Sequence, residues 1–173
     1  MQTNVAQLLK WPVGTTRSYP IDVDEPLALD DLSTAALTSG KVRLDRIDGG
    51  ILARGDVECS VELECGRCLE QFAAPLHIHF EEEFAPSIDV NSGAPLPKPD
   101  DDLVFLIDSG HVLDLGEAIR QNVIAALPIQ PICKPSCRGL CAICGSNRNL
   151  NPCSCAADTE GNRPFAALPG LLH

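Results

Sequence analysis

The chain has 173 residues, 45% of them apolar, and its 13 lysines and arginines stand against 24 aspartates and glutamates, a formal net charge of −11. That length carries one domain with a real core, or one domain with a small appendage, and a mean hydropathy of +0.04 argues against wholesale disorder. No apolar run reaches membrane-spanning length, and the acidity excludes a protein that grips nucleic acid with its whole surface.

Asn4 to Lys10 carries Val5, Leu8 and Leu9 at helical spacing and predicts a short helix. Arg17 to Val23 reads as a strand. Val42 to Ile47, the turn Asp48-Gly49-Gly50, and Ile51 to Cys65 predict a β-hairpin. Its second arm places Ile51, Ala53, Val57, Cys59, Val61, Leu63 and Cys65 on one face, and Arg54, Asp56, Glu58, Ser60, Glu62 and Glu64 on the other. A period of two over that length means one side in the core and one in water. Cys59 then packs as a small hydrophobe and needs no further role. After the Cys65-Gly-Arg-Cys68 corner, Leu76, Ile78, Phe80 and Phe84 alternate with His77, His79, Glu81 and Glu83, a second strand antiparallel to the first. His77 and His79 lie on the polar face beside glutamates and read as solvated side chains rather than metal ligands.

Pro86 to Asp102 holds four prolines, Ser92-Gly93 and the run Asp100-Asp101-Asp102, a composition that predicts a mobile, extended loop. Leu103 to Ile107 is an apolar strand candidate. A helix follows, with Asp114 as N-cap and Glu117 three residues on, an acidic capping box. Leu115, Ile119, Val123 and Ala126 recur along it, and Pro128 ends it after Leu127. Pro164 to Leu172 has apolar residues enough for a short docking helix. The expected fold class is α+β: an antiparallel β-sheet or partial barrel, then a helix and a small cysteine-rich zinc-knuckle segment with a short C-terminal helix. The expected organisation is an acidic β domain over 1–113, with its mobile loop at 86–102, and a helix plus cysteine-rich tail over 114–173, packed on the first part as one unit.

Charge is unevenly placed. Residues 1–117 hold 22 of the 24 acids and 8 basic residues, while no acid occurs from Ala118 to Ala157. Five basic residues, Arg120, Lys134, Arg138, Arg148 and Arg163, stand in the remainder. Such asymmetry is a pointer to a local anionic partner or to a site kept free of carboxylates, although charge alone favours a basic loop balanced by the rest of the surface.

There are nine cysteines: Cys59, Cys65, Cys68, Cys133, Cys137, Cys141, Cys144, Cys153 and Cys155. The number is odd, and Met1 to Trp11 has neither a basic start nor a continuous apolar stretch, so an export leader is not expected. The expected compartment is the reducing cytoplasm, where thiolate metal binding outweighs a disulfide framework. Six of the cysteines fall within the 23 residues from Cys133 to Cys155, among Gly, Pro, Asn and Ser, with too few apolar neighbours to bury them as core. Cys141-Ala-Ile-Cys144-Gly145 has the form of a zinc knuckle: two intervening residues turn both sulfurs toward one ion, and the glycine permits the turn. Zinc takes four such ligands. The expected set is Cys141, Cys144, Cys153 and Cys155, with Cys137 as the substitute and Cys133 after it. An iron–sulfur cluster is the competing reading. Nothing marks an open coordination position with a general base, so a structural ion is expected.

Cys65 and Cys68 leave alternatives open. A redox pair is disfavoured, because Glu64 and Glu70 flank it and would raise a thiol pKa. The pair either contributes two thiolates to a metal shared with the C-terminal cysteines, as a candidate second pair, or makes a tight, weakly reactive corner between strands. Lys134, Arg138 and Arg148, displayed on a metal-ordered knuckle, are candidates for contact with nucleic-acid phosphate; solvated surface residues are the alternative. No phosphate-binding glycine loop, nucleophile elbow or HExxH motif occurs, and no enzyme or small-molecule substrate is expected.

Leu63-Glu-Cys-Gly-Arg-Cys-Leu69, Asp114-Leu-Gly-Glu-Ala-Ile-Arg120, Leu127-Pro-Ile-Gln-Pro-Ile-Cys133, Cys137-Arg-Gly-Leu-Cys-Ala-Ile-Cys-Gly145, Cys153-Ser-Cys155 and Arg163-Pro-Phe-Ala-Ala-Leu168 occur in this order. Together they resemble the YceD family, the large ribosomal RNA subunit accumulation proteins. The resemblance implies a cytoplasmic bacterial factor, without catalysis, that supports accumulation of large-subunit ribosomal RNA. Its expected partner is that RNA or a ribosomal protein of the large subunit, with no membrane role. A thiol redox switch and a zinc adaptor that binds only protein are the alternatives.

Overall fold

The computed structural model describes residues 1–21, 26–29, 34–99 and 104–155. Its centre is a long antiparallel hairpin with a third strand beside it: β4 (Thr34–Ile47), β5 (Gly50–Glu64) and β6 (Gln71–Pro86). Before them come β1 (Gln2–Asn4), α1 (Ala6–Lys10), β2 (Thr16–Pro20) and β3 (Leu27–Ala28), and after them β7 (Phe105–Ile107), β8 (Val112–Asp114) and α2 (Leu115–Ala126). The large sheet runs β2-β4-β5-β6-β7, with β3 also on β4, and a separate two-stranded sheet pairs β1 with β8.

The period-two pattern of β5 sets the layering. Ile51, Ala53, Val57, Cys59 and Val61 are buried, while Asp56, Glu58, Glu62 and Glu64 are exposed. Val42 and Leu44 of β4 and Ile78, Phe80 and Phe84 of β6 join the same core. Leu115, Ala118, Ile119 and Val123 of α2 close over it, and Asn122 donates to Glu82 on β6 at 2.7 Å.

Several expectations are corrected. The sheet is open rather than a partial barrel, and it is not wholly antiparallel: β7 runs parallel to the end of β6, Phe84 opposite Phe105. The chain reaches that edge by a crossover rather than a tight turn, which is what a parallel neighbour requires. β6 begins at Gln71, five residues before the alternation becomes legible, because Pro75 and the small Ala73 and Ala74 hide it. The stretch expected to be a mobile, extended loop instead turns back on itself over its described part. Asp89 Oδ1 accepts from the Asn91 and Ser92 amides at 3.1 and 2.7 Å, and Leu96 N–H donates to Ser87 O at 3.0 Å. An aspartate that caps its own turn supplies order that composition does not reveal.

Asp114 caps α2 as expected, accepting from the Gly116 amide at 2.8 Å. The capping box does not close: Glu117 is drawn to Arg120 and Gln121, at 2.6 and 2.8 Å, and the Arg120 guanidinium and Gln121 amide hold its carboxyl down at about 2. The C-terminal docking helix expected over Pro164 to Leu172 lies outside the described residues. Among the described residues, no helix is long and apolar enough to cross a membrane.

Candidate metal centres

The corner between β5 and β6 and the segment at Cys141 are built alike. In the first, the Leu69 amide donates to Cys65 O at 2.9 Å and the Cys65 amide to Glu70 O at 2.9 Å. In the second, the Gly145 amide donates to Cys141 O at 2.9 Å and the Cys141 amide to Ser146 O at 2.9 Å. In each, the residue after the second cysteine has a positive φ, 60° at Leu69 and 69° at Gly145. The left-handed residue turns the chain back so that both sulfurs of the CxxC pair point inward. Glycine adopts that φ freely; Leu69 takes it against its side chain's preference.

Each knuckle meets a second cysteine pair. Cys133 and Cys137, from the segment after α2, face Cys65 and Cys68, and the four ligand atoms all lie within 4.8 Å of one another. Cys65 Sγ lies 3.9 Å from Cys137 Sγ, and Cys68 Sγ 3.7 Å from Cys133 Sγ. These separations are well beyond the roughly 2.05 Å of a disulfide. Four sulfurs about 2.3 Å from one tetrahedral ion stand about 3.8 Å apart, which is the spacing found. Cys65, Cys68 and Cys137 are buried, and Phe72 packs against them.

This inner cluster is held from both sides. Gly66 N–H donates to Pro131 O at 2.8 Å and Leu140 N–H to Arg67 O at 3.0 Å. Gly139 has φ +67°, and a Cβ there would sit 3.0 Å from Arg67 O. Asn149 Nδ2 donates to Cys137 Sγ and the Cys133 amide to Cys65 Sγ, both at 3.4 Å.

The outer cluster gathers Cys141, Cys144, Cys153 and Cys155, again with every ligand atom within 4.8 Å of the others. It closes within a short stretch of chain, and Cys144 and Cys155 are exposed.

One thiol quartet that joins a corner of the β-sheet to the chain after a capped helix, and a second beyond it, can be compared with known families. Residues 53–172 match the family model described as large ribosomal RNA subunit accumulation protein YceD. The chain belongs to the YceD family. An uncharacterized protein of Mycobacterium tuberculosis (strain ATCC 25618 / H37Rv) is 29% identical over 119 residues, 69% of this chain and 55% of that protein. An uncharacterized protein of Mycobacterium leprae (strain TN) is 27% identical over 111 residues, 64% of this chain and 49% of that protein. The large ribosomal RNA subunit accumulation protein YCED homolog 1, chloroplastic, of Zea mays is 30% identical over 72 residues, 42% of this chain and 24% of that protein. The chain thus spans about half the length of the mycobacterial relatives it matches. No solved structure matches it.

The thiols of this YceD-family chain do not ionise alike, because four thiolates cannot share so small a volume without a cation. The Cys133 amide, donating to its sulfur, brings Cys65 down to about 6, and the Gly139 amide leads the lowering of Cys137. Burial, with Cys65 and Cys68 close by, pushes Cys133 up to about 12. The Glu70 amide favours the Cys68 thiolate, yet burial and the neighbouring sulfurs leave that thiol above its ordinary value. In the outer cluster the Ser146 hydroxyl, 3.1 Å away, brings Cys144 down to about 6. Cys144 and Cys153 push Cys155 up to about 12. Each quartet therefore pairs sulfurs that ionise readily with sulfurs that surrender a proton only when a cation arrives.

The structure brings Cys141, Cys144, Cys153 and Cys155 together, and places Cys137 and Cys133 elsewhere, with Cys65 and Cys68. Cys137, expected as the substitute for the outer set, thus lies with the inner one. Cys59 lies apart in the sheet core, 3% exposed. Lys134, Arg138 and Arg148 are exposed, and their backbones are built into the inner cluster's support. Lys134 O accepts from the Cys137 amide at 3.0 Å, the Arg138 amide donates to Asn149 Oδ1 at 2.9 Å, and the Arg148 amide to Gly139 O at 3.0 Å. A fourth cation was missed: Arg67, inside the first CxxC, reaches Cys137 O at 3.3 Å. Its signal lay in the motif itself, once that CxxC is taken as half of a metal site.

Proposed function

We propose that this chain is a non-enzymatic cytoplasmic factor supporting accumulation of large-subunit ribosomal RNA, and that two structural zinc ions, one in each thiol quartet, order its cysteine-rich half. The observation carrying the zinc reading is the spacing of the inner sulfurs, 3.7 and 3.9 Å, which suits a single ion bonded to all four. A polynuclear iron–sulfur cluster interposes several metal atoms and holds its thiolates farther apart. Cys65, Cys68, Cys133 and Cys137 hold one ion, and Cys141, Cys144, Cys153 and Cys155 the other. The inner ligands come from both 1–113 and 114–173, so the two parts act as one unit. Zinc supplies cross-linking here: four bonds among residues that otherwise have few apolar contacts.

Lys134, Arg138 and Arg148, in a stretch free of acids, meet ribosomal RNA phosphate on the ordered knuckles, with Arg67 held beside them through Cys137 O. The name of the maize relative and the family description support the ribosomal RNA role. The test is deletion of the gene and complementation with the wild-type chain, with Cys65→Ser, and with Lys134, Arg138 and Arg148 all changed to Gln. Wild type restores the large-subunit RNA level and both variants fall short. Restoration by all three rejects the reading. A second reading is a thiol redox switch at the outer site, favoured by the exposure of Cys144 and Cys155. It requires zinc release from that site alone at micromolar peroxide.

A further inference from the structure

β6 is paired with β5 from Gln71 to Phe84, but β7 covers its other side only at Phe84–Pro86. Among the described residues, no strand pairs with the outer edge of β6 before Phe84. Two observations fix which amides face outward. Pro75 stands inside the ladder, opposite Ser60, and a proline is tolerated there when its nitrogen faces away from the partner strand. Ser87, an even number of residues further on, sends its N–H toward β7, to Ile107 O at 3.1 Å. With a period of two, the N–H groups of Ala73, His77, His79, Glu81 and Glu83 therefore leave the sheet at its edge. Their side chains are all exposed.

A long, regular edge of this kind is a template for another strand, and proteins that do not use one usually blunt it with bulges, charge or cover. Here Pro75 is the one backbone interruption, and Glu81 is turned inward along the sheet to Arg54 at 2.7 Å. What would fit is set by the two faces beside the edge. On the solvent face, Glu62, Glu64 and Glu83 carry no counter-charge among the described residues, while Asp56 pairs with His79 and Glu58 accepts from Ser39, both at 2.9 Å. On the core face, Phe72 and Leu76 are half-buried. An added strand would place alternate side chains against acid and against apolar surface.

We infer that the outer edge of β6, residues 71–83, is a β-addition site for an extended polypeptide segment of another protein that alternates basic and apolar residues. Main-chain hydrogen bonds supply the pairing and the alternating surfaces the selectivity. Nucleic acid is disfavoured by the like charge of the glutamates. A second copy would lay its own Glu62 and Glu64 face beside this one. The site stands independently of whether the cysteine-rich half meets RNA.

The test uses the full chain and two synthetic peptides of about twelve residues, matched to the edge at about 3.3 Å per residue. One alternates lysine with valine, the other lysine with proline; charge is equal, but the second cannot pair. Binding is followed by anisotropy, and amide exchange residue by residue by NMR. The lysine–valine peptide is expected to bind and to slow exchange at Ala73, His77, His79, Glu81 and Glu83, while the lysine–proline peptide does neither. Glu62→Lys with Glu64→Lys is expected to weaken binding about tenfold. His77→Pro, which should leave the β5 ladder intact as Pro75 does, is expected to abolish binding with the circular dichroism of the sheet unchanged. Equal binding of the two peptides, no binding of either, or slow exchange of those amides in the free chain would overturn the inference.

Discussion

The two cysteine quartets share a knuckle geometry and differ in what they connect. The inner one joins the β5–β6 corner to the chain after α2, and three of its four cysteines are buried; the outer one ties 141–155 only to itself and leaves Cys144 and Cys155 exposed. A cross-link between distant segments removes far more conformational freedom from the unfolded chain than a local one. Identical ligand chemistry should thus carry unequal weight: an ion in the inner quartet would fasten the chain after α2 to the sheet, and an ion in the outer quartet would shape a surface element.

The sharpest way to break that comparison is to remove one ligand from each quartet. Cys65→Ser should lose one ion and lower the melting temperature by on the order of ten degrees. Cys144→Ser should also lose one ion, but leave the main thermal transition within about three degrees, with new proteolytic cleavage confined to 141–155. Equal losses from the two variants would dissolve the distinction.

Acidity provides the next largest effect. Cys68 and Cys133 both lie above the ordinary thiol value of 9.0, so both are protonated at neutral pH before the ion enters. Zinc must displace at least those two protons, and lowering the pH favours the proton over the metal. Apparent affinity at the inner site should rise by about a hundredfold or more per pH unit near neutrality, readable by competition with a chromogenic chelator in the Cys144→Ser variant. A pH-independent affinity would contradict the unequal ionisation.

Smaller effects come from the paired left-handed residues. Leu69, at φ 60°, should gain about 1 kcal/mol of stability on replacement by Gly, read by chemical denaturation. Gly145→Ala, at φ 69°, should loosen the outer site by a similar amount, seen as faster zinc transfer to a chelator. Gly139→Ala meets Arg67 O at 3.0 Å as well as the φ penalty, so it should cost the inner site more than Gly145→Ala costs the outer.

The hairpin, the strand of alternating histidines and glutamates, and α2 were legible in the sequence because burial on one side imprints its period directly. Cys141 and Cys144 were legible because a glycine follows them. The first knuckle was not, since Leu69 stands where that glycine would be and the flanking Glu64 and Glu70 argue against reactive thiols. Pairing Cys65 and Cys68 with Cys133 and Cys137 depends on tertiary contact across the whole of β6 and α2, which no local pattern records. A count could have suggested it: with Cys59 committed to the β5 core face, eight cysteines remain, two sets of four. The parallel β7 and the self-capped turn at Asp89 were hidden for the same reason, being set by a crossover and by one side chain rather than by periodicity.

The most direct measurement is the metal content of the full chain, purified under reducing conditions, by native mass spectrometry with elemental analysis. Two zinc ions per chain are expected, with Cys59 the one thiol left unprotected in the described residues when the protein is unfolded only far enough to expose its sheet core. One ion or none, with Cys65, Cys68, Cys133 and Cys137 open to alkylation while the tail remains docked on the sheet, would contradict the account.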